Sequence, residues 1–256
     1  MISVVILGAG NVGTHLVKAT QAAENLNLVQ WYCRDPKAIK MAINGIELCH
    51  ELEDLKMADV YIIAVSDKAV SDLSKQLPFE NRLVVHTSGS VAMKLLDMKH
   101  RRGVFYPLQT FSLASEVAFS DVPYCIETME KKDAILLKNL ASEMGSPFYM
   151  INTEQRQALH LSAVFINNFT NQLYRIAHEL TDFKTISFEV LKPLILETAK
   201  KIQHTSPYNA QTGPAKRNDQ VTINHHLRTL ESHPEYQSIY EQLTQSIKTT
   251  HGFKKL

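Results

Sequence analysis

Apolar and polar positions alternate in blocks along the first 150 residues. Apolar runs that predict buried strands cover residues 2–7, 28–32, 60–65 and 83–85, with shorter ones at 104–105, 124–127 and 148–151. Helical periodicity appears at residues 11–23 and 131–144. Strands that alternate with helices at this spacing predict an α/β fold of the Rossmann type, in which helices cover both faces of a mostly parallel sheet.

Beyond residue 152 the pattern is helical, and no segment is typical of a strand. Asn152 and Gln155 have the spacing of a capping box, and the helix that they open is predicted to run to about Leu180. Further helices are predicted over residues 187–203, 219–230 and 232–248. We therefore expect a sheet domain over residues 1–152 and an all-helical C-terminal domain over residues 153–256.

The strongest motif follows the first predicted strand, where Gly8-Ala9-Gly10-Asn11-Val12-Gly13 opens a helix. Such a turn binds the pyrophosphate of a dinucleotide at the helix N-terminus, where free N–H groups and the helix dipole favour an anion. Gly8 permits the tight turn, Gly10 lets the backbone approach the pyrophosphate, and Gly13 lets the helix pack close to the strand. With Asn11 and Val12, these glycines are candidate cofactor contacts. The alternatives are a glycine turn without ligand and a site for S-adenosylmethionine, which usually carries an acidic residue before the glycines; this chain has apolar residues there.

The residues after the second predicted strand bear on the choice between NADP and NAD. A site that prefers NAD usually places an acidic side chain there, against the ribose 2′-hydroxyl. Here Arg34 comes first, and Lys37 and Lys40 follow. Because a guanidinium forms paired hydrogen bonds with a phosphate, Arg34 favours NADP. Asp35 leaves NAD open, since its carboxylate can also turn toward the ribose, and a solvated turn with ordinary surface charges is a third interpretation.

Polar residues follow two further strands of the predicted sheet. One segment is Val65-Ser66-Asp67, and the other is His86-Thr87-Ser88-Gly89-Ser90. Because ligands of an open parallel sheet bind beyond the carboxyl ends of its strands, candidate contacts to the nicotinamide half of the cofactor are Val65, Ser66, Asp67, His86 and Ser88. The alternative is turn and helix-cap chemistry, for which Ser, Asp and Gly are common in any protein.

Composition and charge narrow the class of protein. The chain has 256 residues and a formal net charge of +1, from 27 basic and 26 acidic residues, and this balance does not indicate a nucleic-acid or membrane-surface partner. Cys33, Cys49 and Cys125 are far apart and outside any CxxC pair, as is typical of reduced thiols. The N-terminus lacks the features of a signal peptide, and no apolar run approaches the ~18 residues of a membrane span, so we expect a cytoplasmic protein. The histidines lack the spacing of a metal site, and no metal is expected.

Five segments occur in an order that is shared with one family: GAGNVG at 8–13, AVSD at 64–67, HTSGS at 86–90, FYPLQTF at 105–111 and TGPAKR at 212–217. The chain resembles the NADP oxidoreductases that join a Rossmann-like domain to a helical domain of unknown function. That family is distantly related to pyrroline-5-carboxylate reductase, the deazaflavin-dependent NADP reductase and the 6-phosphogluconate dehydrogenase superfamily. The resemblance implies NADP binding, a C-terminal domain like that of 6-phosphogluconate dehydrogenase, and a homodimer built on it. Relatives commonly have His where this chain has Tyr106, so no catalytic role is carried to that position.

Two residues of the long helix, His160 and Asn168, match a His and an Asn that the family places there. His160 is a candidate general acid that protonates the substrate oxygen or nitrogen as hydride arrives. On an α-helix the directions of His160 and Asn168 differ by roughly 80°, whereas His160 and Asn167 share a face roughly 10 Å apart. The alternative is that His160 packs at an interface and the asparagines bridge helices.

The same helix also bears on the type of reaction. Hydroxyacid dehydrogenases of the superfamily place a Lys four residues before an Asn here, whereas this chain has Ala163 before Asn167 and Val164 before Asn168. This difference argues against the usual hydroxyacid mechanism and leaves imine or keto reduction open.

Four further residues are candidate substrate contacts, namely Gln109 and Thr110 in the PLQTF segment and Lys216 and Arg217 between two predicted helices. The two cations can bind a substrate carboxylate or a cofactor phosphate, in their own subunit or across a dimer. Alternatively they belong to a solvated loop whose Asn218 or Asp219 caps the next helix.

These features predict hydride transfer between NADPH and a small carbonyl or imine substrate in the cleft between the two domains. A non-catalytic protein that senses NADP is the alternative, because the superfamily lysine is missing and Tyr106 replaces a histidine. An oligomeric scaffold with a vestigial site is a third interpretation.

Overall fold

One sheet organises the N-terminal part of the chain. The computed structural model describes residues 1–39, 45–114 and 116–252. Its strands are β1 (Ile2–Leu7), β2 (Leu26–Tyr32), β3 (Leu48–Cys49), β4 (Val60–Ile63), β5 (Leu83–His86), β6 (Arg101–Pro107), β7 (Tyr124–Thr128) and β8 (Phe148–Met150). They lie in the order β3-β2-β1-β4-β5-β6-β7-β8, and neighbouring strands are parallel except at the β6–β7 pair. The predicted mostly parallel Rossmann-type sheet is confirmed.

Helices cover both faces of this sheet, as the pattern predicts. They are α1 (Asn11–Ala22), α2 (Asp67–Gln76) and α3 (Lys131–Glu143). Along β1, Val4 and Ile6 join the apolar cluster that includes residues of α1 and α3, while Val5 and Leu7 join a second cluster with Val70 of α2. Because successive side chains of a strand point to opposite faces, a strand that is apolar at every position is buried on both sides.

The order of the strands reverses beside β1, which lies between β2 and β4. In an open parallel sheet such a reversal leaves a crevice beyond the carboxyl ends of the strands, and ligands bind there. The glycine turn directly follows β1, and the Val65–Asp67 segment follows β4. The topology therefore brings these two predicted cofactor segments to the same crevice.

Strand β6 begins earlier than the apolar run at 104–105 predicts. Its first residue is the charged Arg101, which the strand accommodates because Arg101 pairs with Asp133 of α3. Arg101 Nε lies 3.1 Å from a carboxylate oxygen of the almost fully buried Asp133. The hydrophobic pattern also misses α2, whose sequence is largely polar, and β3, which has two residues and lies at the edge of the sheet. In each case a tertiary contact compensates for a weak local pattern.

The rest of the described chain is helical, as predicted. Its elements are α4 (Thr153–Ala163), a π-helix (Val164–Phe169), α5 (Thr170–Asp182), α6 (Lys192–Lys201), α7 (Pro207–Ala210), α8 (Pro214–Arg217), α9 (Gln220–Thr229) and α10 (Pro234–Thr250). The predicted capping box begins α4, with both the Gln155 N–H to Asn152 Oδ1 bond and the Asn152 N–H to Gln155 Oε1 bond at 2.9 Å. Asp219 caps α9 through the Thr222 N–H, at 3.1 Å. No helix of the described residues is long and apolar enough to cross a membrane.

The chain divides into two compact units, residues 1–169 and residues 170–256. Helix α4 and the π-helix therefore belong to the first unit, whereas the sequence pattern places the domain boundary at 152/153. The pattern follows the change from sheet to helix, while the division into units follows packing. A functional boundary at 152/153 stays a prediction.

Candidate functional site

The glycine turn after β1 has three glycines in three different surroundings. Gly8 has φ +120°, and a Cβ there would lie 2.4 Å from the carbonyl oxygen of Ala64. A Cβ on Gly13 would lie 2.2 Å from the carbonyl oxygen of Gly8. Neither position tolerates a side chain, because backbone atoms occupy the space. Gly10 differs, since a Cβ there would meet nothing within 4 Å.

The open space beside Gly10 adjoins the N-terminus of α1. No side chain caps this helix, and no acidic residue lies in its first turn. The first N–H groups of a helix have no partner within the helix, so an uncapped N-terminus attracts an anion. The side chain of Asn11 is engaged elsewhere, because its Nδ2 donates to the carbonyl oxygen of Phe111 at 2.9 Å. Backbone groups are therefore what this turn offers to a pyrophosphate, and they fit one.

A cavity of about 630 Å³ extends from this turn. Its volume is that of a small-molecule or cofactor site. Its wall is built by the glycine turn, the carboxyl end of β4, the loop after β5, the end of β6 and α4. The residues are Gly8, Ala9, Gly10, Asn11, Val12, Ala64, Val65, Ser66, Asp67, Thr87, Ser88, Gly89, Tyr106 and His160. Nine predicted site residues thus lie on one wall, while Gly13, Arg34 and His86 do not line it.

The loop after β5 is held by hydrogen bonds among its own residues. The N–H groups of Ser90 and Val91 donate to Ser88 Oγ at 3.1 and 3.0 Å, and the Ser90 hydroxyl donates to Asp67. The Ser88 N–H donates to His86 Nδ1 at 3.1 Å. His86 is fully buried, and burial lowers its pKa to about 3. The sequence predicts that His86 contacts the cofactor, whereas in the structure His86 is buried beneath the loop and is a neutral hydrogen-bond acceptor.

Arg34 and Asp35, the residues on which the choice between NADP and NAD depends, have different surroundings. Asp35 Oδ1 accepts the Lys37 N–H at 3.0 Å and caps a short turn. Arg34 is exposed, and its guanidinium has no hydrogen bond or ion pair to any residue that the structure describes. Lys40 lies outside the described residues. The Asp35 carboxylate is therefore partly engaged, whereas the Arg34 guanidinium is available to a ligand.

His160 lies against two residues of the sheet unit. Its Nδ1 is 3.0 Å from Tyr106 Oη, and the two rings meet edge to face. The ring also contacts Gly89 so closely that a Cβ on this glycine would lie 2.5 Å from His160 Nδ1. Burial raises the pKa of Tyr106 to about 12, so the phenol stays protonated at neutral pH. The sequence predicts no role for Tyr106, because the contact joins residues that are 54 positions apart.

Buried polar contacts position α4, and with it His160. Arg156 lies one turn before His160 and is fully buried. Its Nη2 donates to the carbonyl oxygen of Val91 at 2.7 Å and lies 3.4 Å from a carboxylate oxygen of Glu127. Gln157 Nε2 donates to the carbonyl oxygen of Ser90 at 2.8 Å. Residues one turn apart share a helix face, so these contacts also hold His160 against the loop. Nothing in the sequence pattern marks Arg156 as buried.

A second cavity, of about 290 Å³, adjoins the first and shares Tyr106 and His160 with it. The other lining residues are Leu108, Gln109, Thr110, Leu159, Ser162, Ala163, Val164, Ile166, Asn167 and Asn168. The predicted substrate residues Gln109 and Thr110 and the predicted catalytic Asn168 therefore lie together. Gln109 Oε1 accepts the Thr110 N–H at 2.8 Å, which folds this side chain back onto its own segment.

The π-helix explains how Asn168 reaches the same cavity as His160. Each residue of a π-helix turns roughly 20° less than the 100° of an α-helix, because its hydrogen bonds run from i to i+5. The four residues between Ala163 and Asn168 are π-helical. They remove roughly the 80° that would separate His160 from Asn168 on an α-helix. Both Asn167 and Asn168 consequently line the second cavity.

The predicted substrate residues Lys216 and Arg217 belong to the second unit, in α8. Lys216 Nζ donates to the carbonyl oxygen of Gln211 at 2.7 Å, and Arg217 is exposed. The left-handed Asn218, with φ +54°, ends this short helix, so the predicted loop contains one helical turn. The ligand roles of both cations stay predictions.

Comparisons with known proteins agree with this arrangement. The model of a domain of unknown function, DUF2520, matches residues 122–247. The structure of a "putative NADP oxidoreductase" from Bacteroides fragilis is 37% identical, covers 97% of this chain and 98% of its own, and has a TM-score of 0.86. A protein from Thermotoga maritima is 17% identical over 97% of this chain and 98% of its own, with a TM-score of 0.73.

One more distant structure contains a bound dinucleotide. It is the pyrroline carboxylate reductase of Plasmodium falciparum with NADP bound, which is 10% identical over 98% of each chain and has a TM-score of 0.62. At this identity the likeness concerns the fold alone. No curated protein matches the chain.

Proposed function

The chain belongs to the family of the Bacteroides fragilis protein, and from this premise we propose that it is an NADP-dependent oxidoreductase. Its reaction is hydride transfer between NADPH and a small carbonyl or imine substrate. The observation that carries the proposal is the continuous cavity wall from the uncapped N-terminus of α1 to His160.

The large cavity is the proposed dinucleotide site. The pyrophosphate lies at Gly10 and at the N–H groups of Asn11 and Val12, where the backbone is open and uncapped. Val65, Ser66, Asp67 and Ser88 line the part of the wall that leads to His160 and contact the nicotinamide half. Gly8 and Gly13 act indirectly, because they allow the turn to pack on β4 and α1 to begin where it does.

NADP is the proposed cofactor in preference to NAD. Arg34 lies just after β2, where the ribose 2′-position of a dinucleotide is bound in this fold, and its guanidinium has no partner among the described residues. A guanidinium binds phosphate through paired charge-assisted hydrogen bonds. The Asp35 carboxylate is less available to bind a ribose 2′-hydroxyl, because it caps the turn by accepting the Lys37 N–H.

His160 is the proposed proton donor. When bound, the cofactor supplies a hydride to the carbon of a C=O or C=N bond, and the oxygen or nitrogen of that bond then needs a proton. In the protonated imidazolium, Nδ1–H donates to Tyr106 Oη and Nε2 carries the proton that His160 gives up, which leaves a neutral imidazole. Gly89 and the contacts of Arg156 fix the ring at the junction of the two cavities. The donor is thereby oriented before the substrate arrives.

The small cavity is the proposed substrate site. Asn168, Gln109 and Thr110 supply neutral hydrogen-bonding groups on the far side of His160 from the glycine turn. Ala163 and Val164 occupy the positions of the hydroxyacid-dehydrogenase lysine, which favours keto or imine reduction. Lys216 and Arg217 are proposed to bind a carboxylate of the substrate or a cofactor phosphate.

The experiment that tests this function has two stages. Isothermal titration first measures the binding of NADPH and NADH, and we expect NADPH to bind more tightly. A panel of small keto acids and cyclic imines is then screened by the loss of NADPH absorbance. We expect turnover of at least one compound. NADPH binding without turnover across the panel would favour a regulatory NADP-binding protein, and absence of binding would reject both.

We also propose that the protein is a homodimer, with a contact that includes the exposed face of α4 and the π-helix. Leu161, Phe165, Ile166 and Phe169 are each more than half exposed, and the rings of Phe165 and Phe169 meet edge to face at 5.0 Å. A row of large apolar side chains of this kind marks a contact surface. Light scattering at micromolar concentration should give a dimer, and Leu161→Glu should shift it toward monomer. A monomeric wild type under these conditions contradicts the proposal.

A further inference from the structure

The helical unit has a cavity of its own, of about 530 Å³. It lies where the end of α5 meets the C-terminal part of α9, the start of α10 and the turn that follows α5. Its aromatic and basic lining residues are Phe183, Lys184, His226, His233 and Tyr240. The remaining lining residues are Leu180, Thr229, Leu230 and Ser232. All of them belong to the second unit, so this cavity differs from both cavities of the proposed active site.

Aromatic stacking forms one wall of this cavity. The ring of His233 lies flat on Phe183, with centroids 4.6 Å apart and planes at 6°. His233 also stacks on Tyr236, with centroids 5.6 Å apart and planes at 18°. Three rings in a stack lose little further freedom on binding and offer a rigid apolar surface. Leu180 and Leu230 extend that surface.

The lining contains one lysine and two histidines. Lys184, His226 and His233 line the cavity, and no lining residue is acidic. The Lys184 ammonium has no ion pair or hydrogen bond to any described residue. His226 is oriented by Tyr240, whose Oη lies 2.8 Å from His226 Nδ1. One free cation and two imidazoles therefore surround an apolar space.

The carboxylates of α5 near the cavity are already engaged. Glu179 binds Arg175 and also accepts the hydroxyl of Tyr236, while Asp182 Oδ2 lies 3.1 Å from His178 Nδ1. Neither carboxylate pairs with Lys184, whose ammonium has no partner among the described residues and can bind an external anion.

The backbone beside Lys184 has an unfavourable conformation. Thr185 has φ +57°, in the left-handed region that β-branched residues rarely adopt. The turn is closed by the Lys184 N–H to Thr181 carbonyl bond at 3.0 Å and the Thr185 N–H to Asp182 carbonyl bond at 2.9 Å. Local strain of this kind often occurs in segments that place a functional side chain. Here the constrained turn keeps Phe183 and Lys184 at the cavity.

We propose that this cavity binds a small organic monoanion with an apolar body, such as an aromatic or short-chain aliphatic carboxylate. The carboxylate lies at Lys184 and the imidazoles, and the apolar body lies on the Phe183–His233 stack and the two leucines. A pocket with apolar walls and a few convergent polar groups suits such a ligand.

Isothermal titration of the full chain without NADPH tests the proposal. The probes are benzoate and hexanoate, with benzyl alcohol as the neutral counterpart of benzoate and sulfate as an anion without an apolar body. We expect both carboxylates to bind more tightly than benzyl alcohol and sulfate. Binding of benzyl alcohol as tight as that of benzoate, or no binding of either carboxylate at millimolar concentration, would overturn the proposal.

Two variants and one control locate the binding. Lys184→Gln should weaken benzoate binding about three- to tenfold, as expected for one charge-assisted contact at a partly exposed site. Ser232→Phe places a ring in the cavity from an exposed position and should abolish binding. Lys200→Gln removes the same charge from an exposed position of α6 that does not line the cavity, and it should leave binding unchanged. Equal losses in the two lysine variants, or normal binding by Ser232→Phe, would refute the site. Because NADPH is absent, the result does not depend on the proposed enzymatic function.

Discussion

The two units of the chain bury their apolar residues to very different extents. In the sheet unit, β1, β4 and β5 are fully or almost fully inaccessible along most of their length. In the helical unit, few described side chains are buried, and large apolar ones such as Val190, Leu194 and Val221 are 63–83% exposed. A sheet covered on both faces completes its own core, whereas single helices bury one face only. The sheet unit therefore has an extensive buried core, whereas the helical unit leaves many of its large apolar side chains exposed.

The proposed active site and the proposed anion site also differ in the unit that forms them. Both proposed active-site cavities are lined by residues of the first unit, on elements whose positions are fixed by the buried sheet. Rigid elements hold functional groups more accurately than loops do. The proposed anion site, by contrast, is built among helix ends of the second unit.

The largest expected effect is the loss of NADPH binding in Gly10→Glu. Gly10 has φ −74° and open space around its Cβ position, so the side chain is tolerated by the fold. A carboxylate at the proposed pyrophosphate position repels the ligand and fills its space. Isothermal titration should detect no binding, with an unchanged Tm. Gly10→Ala is the uncharged comparison and should weaken binding by less, because its methyl group also occupies space near the pyrophosphate but carries no charge. Normal NADPH affinity in Gly10→Glu would remove the pyrophosphate from this turn.

The next effect is on catalysis. His160→Gln should lower kcat by about 10²–10⁴-fold, the usual contribution of a positioned proton donor, while NADPH affinity stays within about twofold. Gly89→Ala should lower kcat as well, by less, because its Cβ displaces the His160 ring. His204→Gln, at an exposed position of the helical unit, is the control. Unchanged turnover with a lowered Tm in His160→Gln would show that His160 is a packing residue.

A pair of truncations tests the contrast in burial directly. Ile62→Ala, in the fully buried β4, should lower the free energy of unfolding by about 2–5 kcal/mol. Leu194→Ala, at a side chain that is 63% exposed, should change it by within about 0.5 kcal/mol in dilute protein. Urea unfolding measures both. A large cost for Leu194→Ala that grows with protein concentration would place Leu194 in a subunit contact.

The smallest expected effect concerns cofactor choice. Arg34→Ala should weaken NADPH binding by about 1.5–3 kcal/mol, as for a charge-assisted hydrogen bond, and should leave NADH binding nearly unchanged. Lys37→Ala is a neighbouring control of the same charge. Titration with both cofactors distinguishes the cases. Equal losses for NADPH and NADH in Arg34→Ala would exclude recognition of the 2′-phosphate by this residue.

Much of the fold follows from local patterns in the sequence. The runs of apolar residues that form β1, β4 and β5 are buried on both faces, so their composition alone predicts parallel strands. The glycine spacing and the Asn152–Gln155 capping box are also local, because each depends on backbone geometry over a few residues.

The chemistry of the site was decided by tertiary structure. Tyr106 and His160 are 54 positions apart, and only the packing of α4 within the first unit brings them within hydrogen-bonding distance. The same packing buries Arg156 and presses the His160 ring onto Gly89. The π-helix that turns Asn168 toward His160 has no signature in the hydrophobic pattern. By itself the sequence determined the strands, the glycine turn and the helix caps, since short-range sterics and periodic burial govern these elements. The partners of the proposed proton donor were decided by the tertiary structure, because no local pattern encodes which distant side chains meet.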